Sequence, residues 1–156
     1  MNIQLRDAKI GDMDFLLELK REGFKHYIDE IWGWDDKKQI EYIKEELNNK
    51  KVPVKIIVYN GENVGYCSAE LRENGEFFMS NIAVLQKYRN LSIGVKLMLE
   101  QLKENDKAGI VTTLQVFKGN KAKSMYDKMG FVVYGETGTH FLMRRRPKSQ
   151  CKQKIR

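Results

Sequence analysis

The segment "LQKYRNLSIG", residues 85–94, leads from an apolar run into a stretch with helical spacing. A helix that begins there leaves several backbone N–H groups without intrahelical partners, and the positive end of its dipole lies behind them. Such a helix start binds phosphate without requiring a particular side chain. Arg89 adds a charged donor, and Gly94 lets the first turn approach a ligand closely. The segment predicts a diphosphate site; the alternative is an ordinary strand-to-helix connection with an exposed arginine.

A second segment, "HYIDEIWGWDD" at residues 26–36, combines aromatic rings with carboxylates. Tyr27, Trp32 and Trp34 supply the rings. Four acidic residues accompany them: Asp29, Glu30, Asp35 and Asp36. Cations bind to aromatic faces and pair with carboxylates, so the segment is a candidate cradle for an ammonium group. The alternative is that the tryptophans anchor a helix hairpin in the core, because Trp usually buries most of its surface.

Hydrophobic spacing predicts the elements that position these segments. Apolar residues recur at helical intervals after Asp12, from Asp35, from Ser92 to Asn105 and after Asn120, which predicts four helices. Seven other runs predict strands: "NIQLRDA", "VKIIVY", "VGYCSAEL", "EFFMSNIAV", "GIVTTLQVF", "FVVYGE" and "THFLMR". The order is β-α-α-β-β-β-α-β-α-β-β. We therefore expect an α/β fold, with a mixed, mostly antiparallel sheet of about seven strands flanked by about four helices.

Length and composition favour one globular domain. The chain has 156 residues, of which 42% are hydrophobic and only two are prolines. No apolar run exceeds four residues, and the charged first twenty residues lack the hydrophobic region of a signal peptide. We expect a cytoplasmic protein without a membrane span.

The net charge of +7 is confined to the C-terminal end. Residues 144–156, "RRRPKSQCKQKIR", hold seven Lys or Arg and no acid, which leaves the rest of the chain with equal numbers of basic and acidic residues. The predicted domain therefore spans residues 1–143 and is followed by a basic tail. The tail either binds nucleic acid or acidic partners weakly or stays solvated and disordered; the second is expected, because like charges repel.

The cysteines and histidines show no metal-ligand spacing. Cys67, Cys151, His26 and His140 lie far apart in the sequence, so no metal site is predicted. Two cysteines without a disulfide framework suit a reducing compartment.

The first segment, extended to "VLQKYRNLSIG", resembles the acetyl-CoA loop of the GCN5-related N-acetyltransferase (GNAT) superfamily, often "V-x-P-x-Y-R-G-x-G-I-G". Five positions agree: Val84, Tyr88, Arg89, Ile93 and Gly94. Gln86, Asn90 and Ser92 stand where the family usually has Pro, Gly and Gly. Asn90 tolerates a left-handed backbone. Ser92 still presents its N–H; its hydroxyl either reaches a phosphate or caps the helix, or the side chain narrows the loop.

Two further stretches carry the resemblance, which extends to about Met143. "NIAV" at residues 81–84 is similar to the strand whose main chain pairs with pantetheine in the family. "LQVFKGNKAKSMYDKMGF", residues 114–131, resembles "L-x-V-x-x-x-N-x-x-A-x-x-x-Y-x-K-x-G-F", with one residue fewer between Asn120 and Tyr126. The resemblance implies a GNAT fold and an acetyl-CoA site formed by Ile82, Val84, Arg89, Asn90, Leu91, Ser92, Ile93, Gly94, Val95 and Asn120.

The resemblance also implies a catalytic role for Tyr126. An amine that attacks the thioester expels CoA thiolate, and a phenol with a pKa near 10 can protonate it. The alternatives are that Tyr126 only packs in the core and that Asn120 only caps the helix. The general base stays open, because Gln115 stands where related ribosomal-protein N-terminal acetyltransferases have glutamate. Four residues remain as candidates: Glu70, Glu76, His26 and His140.

The expected activity is transfer of the acetyl group of acetyl-CoA to a primary amine of a small molecule, by direct attack in a ternary complex. Cys67 lies within a strand and shows no sign of activation, so no acyl-enzyme is expected. The resemblance places the acceptor near Tyr27, Trp32 and Trp34. The alternatives are acetylation of a protein α-amine or lysine, and a degenerate acyl-CoA-binding module. The partner is thus an amine-bearing small molecule or peptide, with no membrane or nucleic acid expected, and a homodimer is left open.

Overall fold

The computed structural model describes residues 2–148 and contains the predicted elements in the predicted order. The strands are β1 (Ile3–Asp7), β2 (Val54–Tyr59), β3 (Glu62–Leu71), β4 (Phe77–Val84), β5 (Thr112–Phe117), β6 (Val132–Glu136) and β7 (His140–Arg145). The α-helices are α1 (Met13–Ile31), α2 (Asp36–Asn48), α3 (Ile93–Ala108) and α4 (Ala122–Lys128). Two 3-10 turns, Ile10–Asp12 and Gln86–Leu91, precede α1 and α3.

The seven strands form one mixed sheet in the order β1-β2-β3-β4-β5-β7-β6. Strands β4 and β5 are parallel, whereas β1 with β2, β2 with β3, β5 with β7 and β6 with β7 are antiparallel. The predicted fold class is thereby confirmed. The chain divides into two compact units: the first comprises residues up to Glu70 with Asn81–Gly94, and the second comprises Leu71–Ser80 with the residues from Val95 on.

The core of the first unit is formed by α1, α2 and the first strands. Leu16 and Leu19 of α1, Ile43 of α2 and Ile56 of β2 are each at most 2% exposed and pack in one cluster. Helical spacing puts the two leucines on one face of α1. Full burial of such side chains contributes about 1.5–3 kcal/mol each.

The N-termini of α1 and α2 differ in how they are capped. The carboxylate of Asp12 makes no capping bond to α1; it accepts hydrogen bonds from Arg6 and from the backbone N–H of Lys9. Asp35, by contrast, caps α2 through an Oδ1 bond from the N–H of Lys37 at 2.9 Å. The two helices are separated by Gly33, whose φ of +80° a residue with a side chain rarely adopts.

The last strand of the second unit lies one residue further along the chain than the predicted run "THFLMR". Strand β7 continues two residues beyond the predicted domain end at Met143, because Arg145 belongs to the core of this unit. Its guanidinium is 6% exposed and forms a two-pronged pair with Asp106 of α3, at 2.8 and 3.1 Å. Its Nε also donates to the carbonyl of Met129. The tail predicted from residue 144 lies outside the described residues from 149 on.

Within residues 2–148, no helix is long and apolar enough to cross a bilayer. No group of three or more His, Cys, Asp or Glu side chains is arranged to hold a metal ion in that range.

Candidate acetyl-CoA site

The predicted diphosphate segment is a short turn between β4 and α3. The chain leaves β4 at Val84, passes through the 3-10 turn Gln86–Leu91 and enters α3 at Ile93. Asn90 and Leu91 both lie within that turn. Tyr88 of the motif packs against the core of the first unit and meets the ring of Tyr59 edge-on. The turn is therefore held to the protein body by an aromatic side chain.

Ser92 is the left-handed residue of this turn, with φ 59° and ψ 30°. We expected Asn90 to tolerate such a backbone, but the conformation falls two residues later, at the second position where the family usually has glycine. A residue with a side chain loses about 1–2 kcal/mol in this conformation. The N–H of Ser92 also differs from the prediction, because it donates to the carbonyl of Arg89 at 3.3 Å instead of facing outward.

The first turn of α3 follows directly. A helix leaves its first N–H groups without intrahelical acceptors, so Ile93, Gly94 and the next residue, Val95, present such groups. A side chain at Gly94 would meet Ile82 at 3.8 Å and Val84 at 3.9 Å, which places β4 beside the helix start. Three predicted residues, Ile82, Val84 and Gly94, are thus brought together.

Arg89 is anchored by one of its three guanidinium nitrogens. Its Nε donates to the carbonyl oxygen of Val84 at 2.9 Å. Within residues 2–148 its two terminal nitrogens have no hydrogen-bond partner, and the side chain is exposed. The planar fork can therefore bind an anion at the end of β4.

Gly65 shapes the end of β4, a role that the sequence prediction missed. A Cβ at this position would lie 2.3 Å from the carbonyl oxygen of Ala83 and 3.1 Å from the Cα of Val84. Only glycine permits β3 to approach the end of β4 so closely. A glycine inside the run "VGYCSAEL" was the available signal, since it marks a close backbone approach.

In the second unit, Tyr126 lies on α4 and is 9% exposed. Its ring meets Phe131 edge-on, and burial raises the pKa of its phenol above the ordinary value. The hydroxyl is therefore protonated at neutral pH and can serve as a proton donor. Asn120 accepts a hydrogen bond from the N–H of Ala122 through Oδ1 at 2.9 Å, one residue before Lys121, the N-cap residue of α4.

The family model described as "Acetyltransferase (GNAT) domain" matches residues 53–133, more than half of the chain. The chain belongs to the GNAT acetyltransferase family. The predicted family is confirmed, and with it the expectation of an acetyl-CoA-dependent N-acetyltransferase. The matched residues include β4, the turn before α3 and Tyr126.

Solved structures show the same GNAT fold. PaiA N-acetyltransferase from Thermoplasma acidophilum, crystallised in complex with coenzyme A, is 24% identical; the match covers 94% of this chain and 99% of that one, with a TM-score of 0.69. An acetyltransferase from Thermus thermophilus is 16% identical, with 94% and 97% covered and a TM-score of 0.73. The ribosomal-protein-S18-alanine N-acetyltransferase from Escherichia coli is 16% identical, with 99% of both chains covered and a TM-score of 0.66. No curated protein sequence matches the chain.

The candidate bases of this GNAT protein differ in surroundings. His26 is exposed, and its Nε2 lies 3.5 Å from Oε1 of Glu30. Burial lowers the pKa of His140, whose Nδ1 lies 2.7 Å from the hydroxyl of Thr139. The carboxylate of Glu76 accepts from the side chain of Asn74. Glu70 is partly buried. None of them is assigned.

The surroundings of Cys67 disfavour the nucleophilic thiolate form of its side chain. Burial raises its pKa to about 11, so the thiolate is scarce at neutral pH. The expectation that this GNAT protein needs no acyl-enzyme agrees with that environment.

Of the three residues predicted for the acceptor, Trp32 lines a cavity, whereas Tyr27 and Trp34 are not among its lining residues. Tyr27 lies on α1 with its ring edge against His26, and Trp34 packs against the core with its Nε1 donating to Asp36 at 2.6 Å. Trp32 is 64% exposed and borders a cavity of about 480 Å³. We call this space the α1–α2 cavity. Its lining residues are Ile28, Trp32, Gly33, Asp35, Lys38, Gln39 and Tyr42.

Proposed function

We propose that the protein transfers the acetyl group of acetyl-CoA to the primary amine of a small molecule by direct attack in a ternary complex. The start of α3 carries this proposal, because it combines outward N–H groups with the anchored fork of Arg89. Support comes from PaiA N-acetyltransferase, whose crystal structure contains coenzyme A.

The diphosphate of acetyl-CoA would be held by the first-turn amides of Ile93, Gly94 and Val95 together with Arg89. These are backbone groups and one fork of donors, and both suit phosphate oxygens. Ser92 contributes its left-handed backbone and a hydroxyl, but its N–H is already engaged. The main chain of β4 between Ile82 and Val84 would pair with the pantetheine arm.

Tyr126 would act as the general acid. The amine nitrogen attacks the thioester carbonyl carbon, the C–S bond breaks and the sulfur leaves with the electron pair. The Tyr126 hydroxyl gives its proton to that sulfur, and burial keeps the phenol protonated until then. The ammonium form of the amine must first lose a proton to water, which costs about 4 kcal/mol at pH 7 for an amine of pKa near 10. The nitrogen loses a second proton to solvent as the amide forms, and the Tyr126 phenolate regains a proton from solvent.

A small-molecule acceptor is favoured by the α1–α2 cavity. Its volume of about 480 Å³ is in the range of small-ligand sites. A protein α-amine remains the second candidate, because the ribosomal-protein-S18-alanine N-acetyltransferase shares the fold over 99% of both chains.

Two measurements test the proposal. Calorimetry with acetyl-CoA should give stoichiometric binding, and absence of binding would remove every acetyl-transfer role. A release assay for free CoA, run with polyamines, aminoglycosides, arylalkylamines, amino acids and N-terminal peptides, then separates the acceptors. Turnover with peptides alone would overturn the small-molecule assignment, and binding without turnover by any amine would identify a degenerate acyl-CoA-binding module.

A further inference from the structure

The α1–α2 cavity has walls that helical spacing explains. Ile28 and Trp32 are one turn apart at the end of α1, and Asp35, Gln39 and Tyr42 recur at i, i+4 and i+7 along α2. Trp32 is 64% exposed and Tyr42 is 50% exposed. Two large aromatic rings therefore border the cavity and are not buried in the core.

Gln39 is the group that points to a ligand. It is 6% exposed, it lines the cavity, and within residues 2–148 its side-chain amide makes no hydrogen bond. A primary amide has one acceptor oxygen and two donor hydrogens. Within residues 2–148 the buried side-chain polar atoms without a partner are the hydroxyls of Tyr66 and Thr113, so the amide of Gln39 is open to the solvent of the cavity. A ligand that fills the cavity displaces that solvent and must pair with the amide, because a desolvated polar group without a partner is costly.

The charges of the cavity select the kind of ligand. Asp35 and Lys38 place one negative and one positive charge there, and the Asp35 carboxylate is already used to cap α2. The other carboxylates of residues 26–36 are engaged with other groups: Asp29 with the N–H of Trp34, Glu30 with His26, and Asp36 with Arg21. An ammonium group gains little here. A flat, uncharged polar group matches the two rings and the amide.

We propose that the α1–α2 cavity binds the planar, hydrogen-bonding end of the acceptor, with Gln39 as the specificity-determining residue. The assignment of that ligand as the acceptor rests on the proposed acetyltransferase function. A phenol, an indole or an aryl amide fits, because each has flat faces for Trp32 and Tyr42 and a polar group for Gln39.

Tyramine and 2-phenylethylamine test this, since they differ only in the phenolic hydroxyl. Calorimetry without acetyl-CoA should show that the wild type binds tyramine at least ten-fold more tightly, because the apolar analogue leaves Gln39 unpaired. Gln39→Met keeps the side-chain length and should bring the ratio of the two affinities to about one. Glu41→Met changes an exposed residue of α2 outside the cavity and should keep the wild-type ratio.

A second variant guards against misfolding of the first. Trp32→Leu removes an exposed ring and should weaken both amines at least five-fold while keeping the preference for tyramine. Equal affinities in the wild type, no binding of either amine, or an unchanged ratio in Gln39→Met would overturn the assignment. Acetyl-CoA titration of the same samples separates the two proposals. Loss of acetyl-CoA binding alone rejects the transferase role and leaves the cavity assignment standing.

Discussion

The Nε of Arg89 donates a hydrogen bond to the carbonyl oxygen of Val84 across 2.9 Å, and this bond fixes the guanidinium at the end of β4. The carbonyl oxygen accepts from the Nε of the guanidinium, so the two terminal nitrogens are the ones available to bind an anion. The arginine is thus oriented before any ligand arrives, which limits the entropy lost on binding.

Arg89→Lys should therefore weaken acetyl-CoA binding about ten-fold although the charge is kept, because lysine has neither the Nε contact nor the fork. Calorimetry with acetyl-CoA measures the change. Lys87→Met removes an exposed cation from the same turn and should change the affinity less than two-fold. Wild-type affinity in Arg89→Lys would show that charge alone matters at this position.

Ser92→Gly should raise the free energy of unfolding by about 0.5–1 kcal/mol, because glycine adopts the left-handed backbone without strain and loses some of that gain to its more flexible unfolded state. Urea denaturation measures it. Ser92→Ala keeps the strain and removes only the hydroxyl, so its stability should stay near that of the wild type. Acetyl-CoA affinity of the alanine variant then reports on the hydroxyl: a loss of several-fold means that it contacts phosphate.

The order of elements could be predicted because hydrophobic periodicity is a local signal, as are the turn pairs Asn60-Gly61 and Asn74-Gly75 between predicted strands. The start of α3 could be found because its residues also match a family loop. Residue type indicates only that Asn90 tolerates a left-handed backbone, whereas the fold puts that conformation at Ser92. The role of Gly65 depends on two backbones that meet only in the folded sheet. The same holds for Gln39, which helical spacing alone does not distinguish from a core residue.

Gly65→Ala should destabilise the protein by about 3 kcal/mol or more, since its Cβ would lie 2.3 Å from the carbonyl oxygen of Ala83 and the strands would have to separate. Thermal and urea unfolding measure the loss. Gly23→Ala is the matched control: it lies within α1 with no atom within 4 Å of the new Cβ, so it should stabilise the helix by up to about 1 kcal/mol. An equal change in the free energy of unfolding for both alanine variants would contradict the close approach of β3 to β4.

Asp106→Asn should destabilise the protein by about 3 kcal/mol at pH 7, because it leaves the buried Arg145 without its countercharge. The arginine holds the pKa of Asp106 below its ordinary value. The carboxylate therefore stabilises the fold fully above its unfolded pKa of about 4, and this stabilisation is lost as pH falls through the lower folded pKa.

The difference between the wild type and Asp106→Asn should accordingly shrink in urea denaturation below about pH 4. Asp127→Asn removes an exposed i, i+4 pair with Lys123 and should cost less than about 0.5 kcal/mol. A pH-independent difference for Asp106→Asn would mean that packing, and not the ion pair, accounts for the loss.

Tyr126→Phe should lower kcat about 100-fold and leave the affinity for acetyl-CoA unchanged, because only the proton donor is removed and the buried ring still packs. Burial raises the pKa of Tyr126, so kcat of the wild type should decline only as pH rises above the ordinary range of a phenol, when the donor is lost. The variant should lack that decline. Tyr134→Phe removes an exposed hydroxyl from β6 and should keep both kcat and its pH profile. Unchanged turnover in Tyr126→Phe would assign the tyrosine to packing and leave the thiolate to be protonated by water.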